Sequence, residues 1–300
     1  MNPVLTTFWF SLVCVCGGFS KDLPPVKPDL LFLLGGQSNM KGNGFTADLP
    51  DTAEFASYRT VLNHVSLWNE KTKAWEPLNL RQRFGPEIGF GHALGKALPG
   101  HHIGLIKHAE GGTSMDQWAP AGDIYPRLLG AYREAKKTVP EAKLVAMLWH
   151  QGERDSDSEA VANAYKGKLE KHIAAVRKDT GVAELLVIVG QINPGSSFMG
   201  RARFSAAAIV REAQANLRVA HAVMIPTDDL EKNAYVRGAA ATGPEDRVPG
   251  KEDNLHYSAK GQIRLGVRYA RAVLEGISGN PTPAAAAIGA VDWSGFSEER

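Results

Sequence analysis

The chain has 300 residues, 44% hydrophobic and 22% charged, with a formal net charge of +2. That is the composition of a soluble globular protein with one large domain or two small ones. No Lys/Arg cluster stands out, so nothing in it suggests a nucleic-acid binder or a polybasic membrane patch.

Residues 1–20 contain no charged side chain, have an apolar centre from Phe8 to Val15, and end in Gly18-Phe19-Ser20. This reads as a secretory signal cleaved near Ser20–Lys21, although no Lys or Arg precedes the apolar core. The expectation is a secreted or periplasmic protein without stable membrane insertion, since a spanning helix needs roughly 20 apolar residues. Both cysteines, Cys14 and Cys16, lie in this segment, so the processed chain would have neither a disulfide nor a thiol nucleophile.

Residues 21–28 form a proline-rich lead-in. The unbroken run Leu30–Leu34, closed by Gly35-Gly36, predicts a strand buried on both faces, as in a parallel sheet. It passes directly into Gln37-Ser38-Asn39-Met40, which puts Ser38 where a nucleophile or a phosphate cradle would stand. Residues 43–85 read as irregular, with a short strand at Val65–Trp68 and Trp75 beside it. Pro86 opens a helix over 88–94, and 104–108 is a strand that runs into Glu110-Gly111-Gly112-Thr113-Ser114. A helix over 124–139 precedes a strand over 144–149, which ends at His150-Gln151-Gly152-Glu153. Asp157-Ser158-Glu159 caps a long helix that buries Tyr165, Leu169, His172, Ile173 and Val176. Strands at 185–189 and 219–225 and helices at 204–218 and 258–277 complete the pattern. The alternation predicts one α/β domain over 29–277, a parallel sheet with helices on both faces. Residues 278–300 read as a flexible tail.

Four strand-end segments can meet in one crevice, and together they suit acyl transfer. Ser38 needs a base, because a free hydroxyl is a poor nucleophile near neutral pH, and His256 can act as one. Asp253, three residues earlier, can fix the imidazole tautomer and stabilise the imidazolium. The tetrahedral oxyanion needs donors, and the backbone N–H groups of Ser38 and Gly112 with the Gln151 amide are the candidates. Gln37, Asn39, Gly111, Thr113 and Glu153 are read as supporting residues, and which of Gly111 and Gly112 donates is open. His108 and His150 are read as packing or hydrogen-bonding groups. Trp118 and Trp149 are read either as sugar platforms or as buried packing.

Gly36-Gln37-Ser38-Asn39-Met40, Gly111-Gly112-Thr113-Ser114 with Trp118, His150-Gln151-Gly152-Glu153 and Asp253-x-x-His256 resemble four blocks of a known group. It is the sialate O-acetylesterase and acetylxylan esterase group (carbohydrate esterase family 6 and relatives) of the SGNH hydrolase superfamily. The likeness runs from about Asp29 to Ile277. It implies a flavodoxin-like three-layer αβα sandwich and a serine esterase mechanism with no metal and no cofactor. It also implies O-acetylated carbohydrate as substrate, and Gln151 in place of the asparagine donor of other SGNH enzymes.

Rival readings are weaker. An α/β-hydrolase needs G-x-S-x-G, and Met40 occupies the second glycine position. A metal hydrolase would need ligand spacing such as HExxH, which is absent from the sequence. A non-catalytic carbohydrate-binding protein on the same fold, or an esterase for longer acyl or non-sugar esters, remains the alternative.

Overall fold

The computed structural model describes residues 27–193, 197–198, 201–202, 204–237, 246, 248, 251–279 and 288–296. The signal and most of the lead-in therefore lie outside the described residues. At the centre is β1, Leu30–Gly36, whose side chains alternate between two cores. Leu30, Phe32 and Leu34 enter one, and Leu31 and Leu33 enter the other. A strand with apolar side chains at every position is stable only when both faces are covered, and here both are.

The remaining strands are β2 (Leu62–Asn69), β3 (Ala74–Leu78), β4 (Ile103–Ala109), β5 (Lys143–His150), β6 (Leu186–Gly190) and β7 (Ala222–Ile225). Their order is β7-β6-β5-β1-β4-β2-β3, parallel except for the β2–β3 hairpin at one edge. Helices α1 (Glu87–Ala97) and α5 (Ala259–Gly279) cover the face of Phe32, where Phe32 and Phe90 meet edge to face at 5.3 Å. Helices α2 (Tyr125–Thr138), α3 (Glu159–Thr180) and α4 (Ala207–Ala215) cover the other. This is the expected three-layer sandwich. In α3 the buried residues include all five read from its periodicity, and Gly181 ends it in the left-handed region.

Beyond shifts of a few residues at element ends, the sequence reading of the architecture differs from the structure at the sheet edge and at the carboxyl end. The Val65–Trp68 strand extends to eight residues and pairs with a second strand around Trp75, which the local pattern did not separate from loop. At the carboxyl end, Ile288 and Phe296 are buried, and His101 Nε2 donates to Ile288 O at 3.1 Å. The described part of the tail is therefore docked beside α1, although Trp293 is exposed.

The loops at the carboxyl ends of the strands are joined by buried polar groups. Gly36 has φ 142°, and a Cβ there would lie 2.1 Å from His150 O, so no larger residue fits between β1 and β5. Asn39 donates through Nδ2 to Glu153 Oε1 (2.9 Å) and to Leu255 O (3.2 Å), and accepts from Tyr257 N (3.1 Å). Glu153 is sealed from solvent, and the basic group beside it is His150, 3.9 Å away. Burial pushes that imidazole down to about 3, so it is neutral and gives Glu153 no counter-ion. Burial accordingly pushes the Glu153 carboxyl above its usual range, against the opposing bond from Asn39.

A carboxyl raised in this way stabilises the fold below its unfolded pKa, and that contribution is lost as pH rises through the folded value. Glu153→Gln keeps an acceptor for Asn39 and removes the ionisation. Its melting temperature should exceed that of wild type at alkaline pH and by a smaller margin at acid pH, roughly 2–4 °C per kcal/mol recovered. Thermal melts across pH check this; a margin that does not widen with pH would mean the buried carboxylate carries no penalty.

Candidate active site

Ser38 begins a single helical turn, Ser38–Lys41, immediately beyond β1. The turn is fixed by backbone bonds on both sides of Ser38: Gln37 N donates to His150 O (2.9 Å), Lys41 N to Gln37 O (2.8 Å), and Gly42 N to Ser38 O (2.9 Å). Asn43 Nδ2 also donates to Ser38 O at 3.0 Å. The nucleophile candidate therefore sits on a turn with little freedom to move.

The segment 253–256 supplies the other half. Asp253 Oδ1 accepts the N–H groups of Leu255 and His256, both at 3.0 Å, which folds the segment around the carboxylate. Asp253 Oδ2 lies 2.8 Å from His256 Nδ1, and His256 Nε2 lies 2.9 Å from Ser38 Oγ. A carboxylate can only accept, so Nδ1 carries the proton and Nε2 turns its lone pair to the serine hydroxyl. That is the tautomer a general base requires. Both side chains are almost buried, and water competes little for these bonds.

Ser38 and His256 open into a cavity of about 400 Å³. Gly111 and Gly112 line it beside the serine. Gly112 has φ 72°, and a Cβ built there would meet nothing within 4 Å, so its backbone borders open space. The opposite wall starts from the short antiparallel pairing of Gly44-Phe45 with Arg83-Phe84. The Arg237 guanidinium stands 4.4 Å from the centre of the Phe45 ring and that of Arg83 5.5 Å from it. Asp48 pairs with Arg237, and Arg83 Nε donates to Gly42 O at 3.0 Å. Burial pushes the Arg83 guanidinium down and Asp253 opposes the shift; arginine starts so high that it stays charged. Lys41 and Arg154 also line the cavity, Arg154 paired with Asp157 at 2.7 Å, and Asp253, the acidic residue in the lining, is engaged by His256.

The structure brings Ser38, Gly111, Gly112, Asp253 and His256 together, with Gln37 in the same lining. Gln151 departs from the sequence expectation, which aimed its amide at the oxyanion. It is wholly buried, does not line the cavity, and donates to Asp155 Oδ2 (2.6 Å) and Thr113 O (2.9 Å). Two strong acceptors beneath the loop hold its hydrogens away from the crevice. Thr113 supports the glycine turn, its hydroxyl donating to Glu110 O (2.8 Å) and accepting from Trp118 Nε1 (2.9 Å). Trp118 and Trp149 pack at 5.1 Å in the core with no exposed face, so neither is a sugar platform. His108 is tied to Glu70 at 2.9 Å and to Glu110 at 3.2 Å, and His150 to Tyr269 at 3.3 Å. The sequence reading missed Phe45, Arg83, Arg154, Arg237 and the loop Asn233–Val236. For Arg154 a signal existed, since it directly follows Glu153; the others come from segments that looked irregular.

Residues 28–275 match the family described as carbohydrate esterase, sialic acid-specific acetylesterase. A protein of Arabidopsis thaliana described as a probable carbohydrate esterase is 28% identical over 270 residues, 83% of this chain and 92% of that one. Among solved structures, NanS shares the fold with a TM-score of 0.66 at 14% identity, covering 85% of this chain and 100% of its own. A carbohydrate acetylesterase from Xanthomonas citri shares it with a TM-score of 0.56 at 16% identity, over 84% of this chain and 57% of that one. Because the family match takes in the whole sheet, its helices and the segment from Asp253 to His256, the chain belongs to the sialic acid-specific acetylesterase family and is a carbohydrate esterase.

Proposed function

We propose that the protein is a serine esterase that removes O-acetyl groups from carbohydrates through an acyl-enzyme intermediate. The observation that supports this best is the line Ser38–His256–Asp253, with contacts of 2.9 Å and 2.8 Å, at the mouth of the cavity. Ser38 Oγ attacks the acetyl carbonyl while His256 Nε2 takes its proton. The tetrahedral intermediate collapses, and His256 returns the proton to the departing sugar oxygen. Water, deprotonated by the same imidazole, then releases acetate from Ser38. The backbone N–H groups of Ser38 and Gly112 are the main-chain candidates for the oxyanion.

The cavity wall narrows the substrate class. Four cationic side chains line the cavity, Arg237 paired with Asp48 and Arg154 with Asp157, while the one lining carboxylate is engaged by His256. Such a wall favours an acetylated sugar that carries a negative charge, such as an O-acetyl sialic acid, over neutral acetylxylan. The uncharged apolar stretch of residues 1–20 supports export of the enzyme to the periplasm or the exterior.

Ser38→Ala and His256→Ala should each lower kcat by about 10⁴-fold or more, and the double variant should be little worse, since the pair acts as one unit. Asp253→Asn keeps an oxygen for the two backbone donors but turns an amide N–H₂ toward His256 Nδ1. That favours the wrong tautomer and should reduce kcat on the order of 10⁴-fold. Activity should also fall at acid pH, because imidazolium cannot accept the Ser38 proton. Ser38→Ala with wild-type turnover would end the acyl-enzyme reading.

The charge argument is tested by acetate release from O-acetyl sialic acid and from neutral acetylated xylo-oligosaccharides at rising ionic strength. kcat/KM for the anionic sugar should start higher and fall several-fold as salt screens the wall, while that for the neutral sugar stays level. A preference for the neutral sugar that salt does not alter would count against an anionic substrate.

A further inference from the structure

We infer that His108 positions the Gly111-Gly112 turn through Glu110, and that this hold sets an alkaline limit on kcat. The inference rests on the esterase reading proposed above, in which the backbone N–H of Gly112 is a candidate donor to the oxyanion.

His108 lies on β4, just before that turn, and each of its ring nitrogens faces a carboxylate. Nδ1 is 2.9 Å and 3.2 Å from the two oxygens of Glu70, in the turn between β2 and β3. Nε2 is 3.2 Å from Glu110 Oε1. A carboxylate only accepts, and a neutral imidazole has one donor and one lone pair, so satisfying both sides takes the imidazolium. Burial works against that charge, but Glu70 and Glu110 outweigh it and hold the imidazole above its usual range. Behind Glu110 stand Arg127 of α2, which shares its Oε1, and Asp123, which pairs with Arg127. On β1 the position opposite His108 is Gly35, which brings no charge, and the neutral Trp118 ring packs edge to face with it at 6.3 Å.

Glu110 carries this arrangement to the site. Its N–H donates to Gly36 O at 3.0 Å and its carbonyl accepts the Thr113 hydroxyl at 2.8 Å, so it anchors the turn at its start. Gly111 and Gly112 have no side chains to hold them, and their N–H directions depend on that anchor. A Cβ built on Gly111 would lie 3.6 Å from Ser38 Cβ, so a shift of the turn is felt at the nucleophile. Loss of the His108 proton turns a lone pair toward one of the two carboxylates. Nδ1 has the shorter contact, to both oxygens of Glu70, so the repelled group is Glu110. Arg127 still reaches Glu110 but is half exposed, where an ion pair contributes little. The turn therefore shifts without unfolding. With its imidazole raised, the clamp is complete below the ordinary histidine value and is lost as pH rises through the folded one.

The test is kcat on p-nitrophenyl acetate, a neutral ester, from about pH 5 to about pH 10, with the fold checked by circular dichroism throughout. Wild type should show an acid limb set by His256 and a several-fold alkaline fall to a lower plateau. The His108 ring resonance, followed by NMR, should titrate above about 6.5 with a midpoint that matches the alkaline fall. Glu70→Gln removes one carboxylate from His108. It should move the alkaline fall about one pH unit toward neutrality and leave the acid limb in place. His108→Gln has no charge to lose, so its alkaline fall should vanish, with kcat reduced and KM little changed. An alkaline fall that stays put in Glu70→Gln, or survives in His108→Gln, would overturn the inference. So would a wild-type profile without the fall, or a His108 midpoint at or below about 6.5 or more than about one unit away from the fall. These last readings need wild type alone, should a variant not fold. Failure of the esterase reading shows differently, as full activity in Ser38→Ala.

Discussion

Asn39 joins two segments that lie 218 residues apart in the chain and must meet within a hydrogen bond for the site to exist. Its carboxamide takes Tyr257 N on one side and gives to Leu255 O on the other, gripping the peptide groups that flank His256. The residue before Asn39 is the nucleophile candidate. One buried side chain thus couples the turn of Ser38 to the placement of the imidazole, and the 2.9 Å contact between them follows from that coupling. Glu153 Oε1 accepts the remaining reach of Asn39 Nδ2 and so decides which way the amide faces. A neighbouring buried carboxamide, Asn193, also donates to Leu255 O, at 2.5 Å, and the base loop is held from both sides.

The same region shows what preorganisation costs this fold. Glu153 and Asp155 are buried carboxyls, and burial pushes both above their usual range. His150 beside Glu153 is kept neutral by the same burial, so the opposing influences on Glu153 are its hydrogen bonds and the charge of His256, and burial outweighs them. Buried polar groups that lack full partners destabilise the folded state, yet here they lie directly under the loops of Ser38, Gly112 and His256. A rigid floor for these loops is the physical return. Donors and acceptors are fixed before a substrate arrives and need not reorganise during reaction.

Much of this was legible in the sequence because it depends on local chemistry. Leu30–Leu34 has no polar position, so it had to be covered on both faces, and the glycines after it had to mark the turn that carries Ser38. Asp253 and His256 are three residues apart, and an aspartate that caps its own segment naturally presents its second oxygen to that imidazole. Gln151 was harder. Its place after β5 is set by the strand, but the direction of its amide is set by Thr113 and Asp155, from a different loop and the next turn. Trp118 and Trp149 show the same limit: a tryptophan near a site is as useful to the core as to a sugar, and only packing against His172 and each other settles it. The cationic wall is least legible, since Arg83 and Arg237 meet over Phe45 from segments without periodicity.

In the esterase proposed above, that wall and the loops of Ser38 and His256 act on different parts of one ligand. Under the proposed mechanism Ser38, His256 and the neighbouring N–H groups contact the ester, where charge appears only in the transition state. The guanidinium groups around Phe45 act on charge already present in the ground state. Interactions of the first kind raise kcat, and those of the second lower KM and guide encounter. Arg237 is tied to Asp48 and Arg83 to Gly42 O, so their positions are set without a ligand. Charge recognition and bond cleavage are therefore built on separate supports, the first on the short Phe45–Arg83 pairing and the second on the sheet. On that proposal, the sheet supports can stay fixed for cleavage of an acetyl ester while the Phe45–Arg83 wall selects which sugar brings that ester to Ser38.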